Sequence, residues 1–184
     1  LRHKPEYIAT APPVLSLLTR SRRLQRTRLS FLMGVFTGGA RLPPWLRTEI
    51  EDTIHRRGAV VNIRQGYGLT ETVSGCAVAP EQGAPVGSVG IPYPDMDVAV
   101  LPLDRTPAHP ESRPAADDEP GAIWVSGPTM MLGYLSPTGS LDEETGLVED
   151  REGRRWVNTG DYGKMDDQVF LYLLDRVERL TVEG

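Results

Sequence analysis

The sequence predicts an α/β fold, in which a partial parallel α/β layer is followed by a β-rich subdomain. A strand, a helix and a second strand follow one another between residues 29 and 63, which is the order of a parallel α/β unit. Beyond residue 85 short apolar segments separated by turn residues take over, a pattern typical of β structure. The predicted domains are therefore an α/β subdomain at residues 1–84 and a β-rich subdomain at residues 85–174.

Five segments make up the predicted α/β half. Leucines among basic residues at 14–24 indicate an amphipathic helix. The short apolar run 29–36 predicts a buried strand. A double proline begins a helix at 43–57, because proline is tolerated in a first turn. A second buried strand is predicted at 59–63, and residues 71–79 continue as a helix or an extended loop.

The second half combines strands with two loops. Residues 103–120 are rich in proline and charge, which predicts a mobile loop. Residues 139–155 are acidic and predict a solvated loop, since their carboxylate spacing does not match a calcium-binding loop. Short strands are predicted at residues 98–101, 121–126, 156–158 and 169–174.

Composition narrows the function classes. The formal net charge of −5 over 184 residues argues against general nucleic-acid binding. No apolar run approaches the length of about 18 residues that a membrane span needs. A single cysteine, Cys76, excludes an internal disulfide and suits a reducing compartment. These features predict a cytoplasmic protein without a membrane span.

One basic run stands out against the acidic background, and it has two interpretations. It can be a solvated helix end before a strand, or it can contact phosphate or coenzyme A. The run consists of Arg20, Arg22, Arg23, Arg26 and Arg28.

The stretch Gly-Tyr-Gly-Leu-Thr-Glu-Thr that begins at Gly66 is the strongest local signal. Its glycines, Gly66 and Gly68, allow a ligand to approach the backbone closely. Tyr67 offers a face on which a purine can stack. Thr70 can bond a phosphate oxygen, and Glu71 can hold Mg²⁺ through oxygen. Taken alone, the stretch also fits an ordinary glycine-rich turn that begins a helix.

Other short motifs accompany this stretch in a fixed order, and their shared order is more specific than any of them alone. Gln65 directly precedes the stretch. The motifs are Thr37-Gly38-Gly39-Ala40, Gly121-Ala122-Ile123-Trp124-Val125-Ser126-Gly127, Gly133-Tyr134-Leu135, Trp156-Val157-Asn158-Thr159-Gly160-Asp161 and Asp175-Arg176-Val177-Glu178-Arg179-Leu180.

The set resembles the adenylate-forming superfamily, and most closely its acyl-CoA synthetase, luciferase and coumarate-CoA ligase branch. The resemblance runs from about residue 11 to residue 184. It implies the middle and C-terminal part of a large N-terminal domain, whose β-rich subdomain is a distorted barrel. Residues 175–184 would then be a hinge to a C-terminal domain. The family's phosphate loop and catalytic lysine have no counterpart in this sequence, so the chain is expected to be inactive without the rest of its parent enzyme.

The resemblance also implies a reaction. Members join a carboxylic acid to ATP, giving an acyl-adenylate and pyrophosphate, and then pass the acyl group to the thiol of coenzyme A. The implied cofactors are ATP or AMP, Mg²⁺ and coenzyme A, and fatty acid metabolism is a typical setting. Two alternatives stay open: a non-catalytic nucleotide-binding or interaction module of the same fold, and the core of a peptide-synthetase adenylation domain.

Residue roles follow from the resemblance. Tyr67 would stack on adenine, and Asp161 and Arg176 would bind the ribose. Thr70 would contact the α-phosphate and Glu71 would hold Mg²⁺, which makes these two the candidate catalytic residues. The remaining candidate binding residues are Gly38, Gly39 and Ala40 as a ledge for the base, Gly66 and Gly68 beside Tyr67, and Gln65 near the phosphate or the acyl carbonyl.

Each of the main roles has a structural alternative. Tyr67 can be an ordinary half-buried ring, and Asp161 can shape a turn. Arg176 can form a surface ion pair with Asp175 or Glu178. Tyr134 is expected to pack in the β-rich half rather than contact ligand.

Three features depart from the family pattern or bear on specificity. Val182 and Glu178 replace residues that are often charged differently in the hinge, which would weaken thioester formation more than adenylation. Gln168 replaces a turn glycine, which predicts a reshaped turn. The small residues Ser74, Gly75 and Ala77 leave room for an aryl or medium-chain acid.

Overall fold

The computed structural model describes residues 3–73, 75–108, 118–141 and 146–180. The chain forms two compact units. The first contains the described residues up to Tyr67 together with Val78–Gly90, and the second contains Gly68–Ala77 together with the described residues from Ile91 onward. The boundaries predicted at residues 84 and 174 remain a prediction about the domains of the whole protein.

The first unit is the predicted parallel α/β layer. Strand β1 pairs in parallel with β2, and β2 pairs in parallel with β3. A short 3₁₀ turn at Leu24–Arg26 precedes β2. The elements are β1 Tyr7–Thr10, α1 Pro12–Thr19, β2 Gly34–Thr37, α2 Pro44–His55 and β3 Ile63–Tyr67. Two later strands, β4 Ala77–Val78 and β5 Ser88–Pro92, each span a point at which the chain passes between the units.

Helix α2 begins one residue later and ends two residues earlier than the predicted 43–57, and its sequence explains both its beginning and its buried face. Pro44 occupies the first turn, where its missing N–H costs nothing. Leu46, Ile50 and Ile54 recur four residues apart and are all buried, so one stripe of the helix faces the core. Glu51 accepts the backbone N–H of Ile63 at 2.9 Å, which ties the helix to the beginning of β3.

Both predicted strands of this unit begin later than expected. The strand predicted at 29–36 begins at Gly34, and the strand predicted at 59–63 begins at Ile63. Two leucines of the apolar run before β2, Leu29 and Leu32, are buried without belonging to a strand; Leu29 is 0% exposed, and its backbone N–H donates to Arg57 O. Apolar patterning reports burial, and a buried turn carries the same pattern as a buried strand.

The end of helix α1 and the structure of residues 71–79 also differ from the prediction. Helix α1 ends at Thr19, five residues before the predicted end, and residues 71–79 contain a 3₁₀ turn at Thr70–Thr72 and strand β4. Strand β1 was not predicted, because four half-exposed residues give too short a pattern.

The second unit is the predicted strand-rich half. Its main strands follow the order β6-β7-β9-β10 and are all antiparallel, and β8 pairs with the first residues of β9. The strands are β6 Asp97–Leu101, β7 Gly121–Ser126, β8 Leu147–Glu149, β9 Arg155–Met165 and β10 Leu171–Arg176, and a short helix α3 Val177–Leu180 follows. Within the described ranges the sheet is open, so the barrel-like character implied by the resemblance stops short of closure.

Strand β7 lies at the centre of this sheet and is buried along its whole length. Gly121 of β7 faces Gly163 of β9. A Cβ atom on Gly163 would lie 2.2 Å from Tyr172 O and 2.7 Å from Ile123 Cδ1. Glycine at this position therefore permits the close approach of three neighbouring strands.

The turn between β9 and β10 was predicted to be reshaped at Gln168, and this stays a prediction. Val169, rather than Gln168, takes the left-handed conformation, with φ +61°. Asp166 organises the turn: its carboxylate accepts the backbone N–H groups of Gln168 and Phe170 at 3.0 and 2.9 Å and the hydroxyl of Tyr172 at 2.9 Å. Burial of the Tyr172 hydroxyl, together with the smaller effect of this hydrogen bond to Asp166, raises the pKa of Tyr172 to about 12.

The two predicted loops are only partly covered by the structure. Residues 109–117 and 142–145 lie outside the described residues, so the mobility expected of the first loop stays a prediction. The second loop contains β8, which was not predicted. None of the described helices is long and apolar enough to cross a membrane.

Candidate functional site

In the first unit, the two glycine-bearing segments lie side by side at one edge of the parallel sheet. Gly38–Ala40 follow the end of β2, and Gln65–Tyr67 end β3; the pair Thr37↔Gln65 sets their register. A Cβ atom on Gly38 would lie 3.1 Å from the carbonyl oxygen of Gly66. The carboxyl ends of parallel strands are where α/β proteins bind their ligands, and six predicted binding residues meet there.

Gly39 has a conformational reason to be glycine. Its φ of +74° lies in the left-handed region, and no atom lies within 4 Å of where its Cβ would be. The space beside this backbone is open, as a ledge for a ligand requires. Tyr67 is largely buried, with only 8% of the residue exposed in the described structure.

Thr37 was not singled out from the sequence as a site residue. It is 3% exposed, directly precedes Gly38, and its Oγ1 is buried without a hydrogen-bond partner within the described part of the chain. Buried hydroxyls are bonded in the great majority of cases. The Thr37 hydroxyl therefore lies beside the open ledge without the hydrogen bond that a buried hydroxyl normally makes.

In the second unit, Thr70 and Glu71 belong to a single 3₁₀ turn. Thr72 anchors that turn: it is 1% exposed, and its hydroxyl and its backbone N–H both donate to Leu69 O, at 3.0 and 3.1 Å. Buried Thr72 thus fixes the turn, while Thr70 is exposed and Glu71 is half-buried, so both polar side chains remain accessible to solvent.

Tyr134 contacts Glu71, a contact that the expected packing role did not include. Its hydroxyl donates to Glu71 Oε1 at 2.6 Å, and the backbone N–H of Met131 donates to Glu71 O at 2.8 Å. This hydrogen bond to the carboxylate raises the pKa of the Tyr134 hydroxyl. Two motifs 63 residues apart are therefore joined, and the only sequence signal for this contact was the place of Gly133-Tyr134-Leu135 in the motif order.

Asp161 and Arg176 lie opposite each other on β9 and β10. Arg176 Nη1 donates to Asp161 Oδ1 at 2.8 Å and to Thr159 O at 3.2 Å. Gly160 makes room for this arrangement, since its φ is +71° and the guanidinium lies 3.3 to 3.7 Å from where its Cβ would be. The Asp161 side chain is 17% exposed and the Arg176 side chain is 50% exposed, so the pair faces outward.

Thr159 orients Asp161 through the backbone. Its hydroxyl donates to Ile123 O at 2.9 Å and accepts the backbone N–H of Asp161 at 3.1 Å. Thr159 is 8% exposed. The hydroxyl thus links the conformation around Gly160 to the central strand β7, a positioning role that sequence reasoning did not assign.

The predicted acyl-pocket residues do not border open space where the structure describes them. A Cβ atom on Gly75 would lie 2.9 Å from the Tyr93 ring, and Ala77 is 0% exposed. Ser74 lies outside the described residues, as does Val182. Cys76 is fully buried, and burial raises the pKa of its thiol to about 12, with the charge of Asp161 adding to the effect. A thiol in that state is a small apolar side chain rather than a nucleophile.

The carboxylate of Glu71 is suited to bind a magnesium ion that is also bound by the phosphates of a ligand. The described residues contain no group of three or more His, Cys, Asp or Glu side chains that could hold a metal ion. Mg²⁺ is commonly held by one or two carboxylates together with substrate phosphates, and one half-buried carboxylate in a held turn suits that arrangement.

Residues 1–135 match the family of AMP-binding enzymes. The chain belongs to this family. The predicted superfamily and fold class are therefore confirmed. In this chain the fold consists of the parallel α/β layer and the open antiparallel sheet described above.

Curated relatives agree with the family assignment. The chain is 32% identical over 178 residues to a luciferin 4-monooxygenase of Luciola mingrelica, covering 97% of this chain and 30% of that protein. It is 32% identical over 185 residues to a long-chain-fatty-acid–CoA ligase of Bacillus subtilis, covering 100% of this chain and 30% of that protein. The chain thus spans about 30% of the length of the curated relatives it matches.

Solved structures share the fold at lower identity. A long-chain-fatty-acid–CoA ligase, FadD1, from Archaeoglobus fulgidus superposes with a TM-score of 0.76 at 23% identity, covering 100% of this chain and 37% of that chain. The ATP-bound MatB of Rhodopseudomonas palustris superposes with a TM-score of 0.74 at 22% identity, covering 95% of this chain and 31% of that chain.

Proposed function

We propose that this chain supplies the adenine, ribose and Mg²⁺ contacts of an ATP-dependent acyl- or aryl-CoA ligase. The observation that carries the proposal is the meeting of the ledge Gly38–Ala40 with the end of β3 at the carboxyl edge of a parallel sheet. Such an edge, with open space beside a left-handed glycine, suits a planar base lying along the backbone.

The proposed reaction has two steps. An oxygen of the substrate carboxylate attacks the α-phosphorus of ATP and forms a new P–O bond, while the bond from the α-phosphorus to the bridging oxygen breaks and pyrophosphate leaves with its electron pair. The thiol of coenzyme A, having lost its proton to solvent, then attacks the acyl carbon and forms a C–S bond, while the C–O bond to the phosphate breaks and AMP leaves with its electron pair. Catalysis of both steps depends on positioning and charge neutralisation. Mg²⁺, when bound, offsets the negative charge of the phosphates.

The residues of the first unit would bind the base. Tyr67 would stack on adenine, and the backbone of Gly38, Gly39 and Ala40 would lie along the base edge. Gly66 keeps the neighbouring strand end clear of a side chain. Gln65, one residue earlier and largely buried, would direct its amide toward the phosphate or the acyl carbonyl.

The residues of the second unit would hold the sugar and phosphates. Asp161 would accept the ribose hydroxyls, and Arg176, held against it at 2.8 Å, would orient that carboxylate. Thr70 would donate to the α-phosphate, and Gly68 would let the ligand approach the backbone closely. Glu71 would contact Mg²⁺, with the Tyr134 hydroxyl fixing which carboxylate oxygen is available.

Partners and setting follow from the same proposal. The small-molecule partners would be a carboxylic acid, ATP and coenzyme A, and the remaining machinery would come from the rest of the parent enzyme. Fatty acid metabolism and a cytoplasmic location are part of the proposal.

The test is calorimetric titration of the 184-residue chain with ATP and Mg²⁺, and with a non-hydrolysable acyl-adenylate analogue. Tyr67→Leu removes the stacking face while filling its buried site, and Tyr67→Phe is the matched control that keeps the ring. Base stacking on an aromatic ring is worth about 1–3 kcal/mol, so the leucine variant should bind about tenfold more weakly. Asp161→Asn should show a comparable loss, because hydrogen bonds to a charged group contribute about 1.5–3 kcal/mol.

Asp104→Asn supplies the second control, since that side chain is 79% exposed and outside the candidate site. The proposal fails if a folded chain binds neither ligand, or if Asp104→Asn weakens binding as much as Asp161→Asn. The former result would favour an interaction module that does not bind nucleotide.

A further inference from the structure

Four arginines line an open pocket of about 340 Å³ in the first unit, the arginine pocket. Two segments supply the lining: Arg26, Thr27 and Arg28 precede β2, and Arg56, Arg57 and Gly58 follow α2. The backbone N–H of Leu29 donates to Arg57 O at 2.7 Å. This bond joins the segment that leads into β2 to the end of α2, and it is what brings the two arginine pairs together.

The arginine pocket lies at the opposite edge of the sheet from the candidate nucleotide site. Arg26 and Arg28 precede β2, and Arg57 precedes β3, whereas Gly38 and Tyr67 stand at the other ends of the same two strands. Parallel strands place their amino ends at one edge and their carboxyl ends at the other. At about 3.3 Å per residue, the strands separate the two sites by the length of a four- or five-residue strand.

The charges in the pocket are not matched by carboxylates. Over residues 3–73 and the other described ranges, none of the four guanidinium groups forms an ion pair within 4.0 Å, although other arginines of the chain do. Arg56 Nη2 donates to the Thr53 hydroxyl at 3.3 Å, a neutral partner. Four positive charges around one cavity repel each other, and the chain as a whole carries a net charge of −5.

Helix capping does not account for these side chains. The end of α2 is closed by backbone bonds alone: Gly58 N donates to His55 O at 2.9 Å, and Ala59 N donates to Ile54 O at 3.1 Å. With Gly58 at φ +89°, this is a Schellman motif, in which the last carbonyls are already satisfied. The guanidinium groups are therefore available for a ligand.

We propose that this pocket is a binding site for a small soluble polyphosphate of the pyrophosphate class. The planar guanidinium of arginine matches phosphate oxygens in a bidentate geometry, and adjacent arginines can hold two phosphates at once. The pocket is open to solvent and its four arginines are exposed, and its volume of about 340 Å³ lies at the lower end of the range of small-ligand sites, about 300–1,000 Å³. Gly58 contributes no side chain, which leaves its backbone side of the pocket open. The inference does not rest on the proposed ligase function.

The test is titration of the chain with pyrophosphate, by calorimetry, in buffer that contains a chelator so that no divalent cation is present. The double variant Arg28→Gln with Arg57→Gln takes one charge from each of the two segments that line the pocket. We expect its affinity for pyrophosphate to fall at least tenfold, and the salt dependence of binding to become weaker.

The matched control is the double variant Arg22→Gln with Arg23→Gln, which removes two exposed arginines of the same basic run that do not line the pocket. It should change the affinity less than twofold. Circular dichroism of each variant shows whether it is folded. A second arm uses phosphatidylcholine vesicles that contain phosphatidylinositol bisphosphate.

Saturable binding of pyrophosphate that only the pocket variant weakens supports the proposal. Three results would overturn it: no binding of pyrophosphate to the folded chain, equal weakening by both double variants, or binding to the vesicles without binding of free pyrophosphate. The last would show a lipid headgroup site in place of one for a soluble anion.

Discussion

Replacing Thr37 with valine should stabilise the chain, in contrast to most substitutions of buried residues. Valine has nearly the same shape as threonine, so the change removes a hydroxyl without creating a cavity. The Thr37 hydroxyl is buried and has no partner among the described residues. An unsatisfied buried polar group costs about 1–3 kcal/mol, and removing it should raise the free energy of unfolding by about 1 kcal/mol.

Two threonines provide controls with the opposite expected sign. Thr53, in the same unit and 7% exposed, donates to Glu49 O at 2.8 Å. Thr53→Val removes a bond that is made, so it should lower the free energy of unfolding by about 1 kcal/mol. Thr159→Val breaks the bonds to Ile123 O and Asp161 N, and leaving these groups without their partner should cost about 2 kcal/mol.

The assay is unfolding in urea, followed by circular dichroism, with each variant compared with the unsubstituted chain. A change in the midpoint at constant slope reports a change in stability. In a chain of this size 1 kcal/mol corresponds to about 2–4 °C in Tm, which is readily measured. If Thr37→Val lowers stability as much as Thr53→Val does, then the Thr37 hydroxyl is satisfied in solution and the reasoning is refuted.

Three further predictions concern the second unit. Val169→Gly should raise the free energy of unfolding by about 0.5–1 kcal/mol, as measured by urea unfolding. The substitution removes the cost of about 1–2 kcal/mol that the left-handed conformation imposes on an L-residue. The greater entropy of glycine in the unfolded state offsets only part of this gain. Glu71→Gln should lower the pKa of Tyr134 toward its ordinary value, as seen by absorbance titration of the phenol. Asp150, whose pKa is lowered to about 2 chiefly by the Trp156 indole N–H, should stabilise the fold above pH 3.8 and lose that effect as the pH falls through about 2.

Each of these has its own control. Val60→Gly, at a residue 90% exposed and outside the left-handed region, should not stabilise; equal gains at both valines would remove the strain argument. Tyr134→Phe identifies which phenol titration belongs to Tyr134, and an unchanged titration in Glu71→Gln would show that the bond does not form. For Asp150, a difference between the chain and Asp150→Asn that does not shrink from pH 4 to pH 2 would contradict the lowered pKa.

The family, the fold class and several elements could be predicted from the sequence because each depends on local patterns. Helix α2 follows from its first-turn proline and its four-residue apolar spacing, and β7 follows from a continuous apolar segment with the predicted bounds. The ordered motifs around Gly66 led to the family. Strand beginnings were less accurate, because the buried turn at Leu29 and the strand at Gly34 share one apolar pattern.

The contacts between distant segments were decided by tertiary structure alone. Tyr134 meets Glu71, and Arg176 meets Asp161, because strand register and turn geometry bring them together. The arginine pocket depends in the same way on the bond from Leu29 to Arg57. Periodicity reports which face of an element is buried, but it does not contain the distance between two elements. The sequence by itself therefore determined which family this chain belongs to and which residue types it presents, and the packing of one segment against another decided which of those side chains meet.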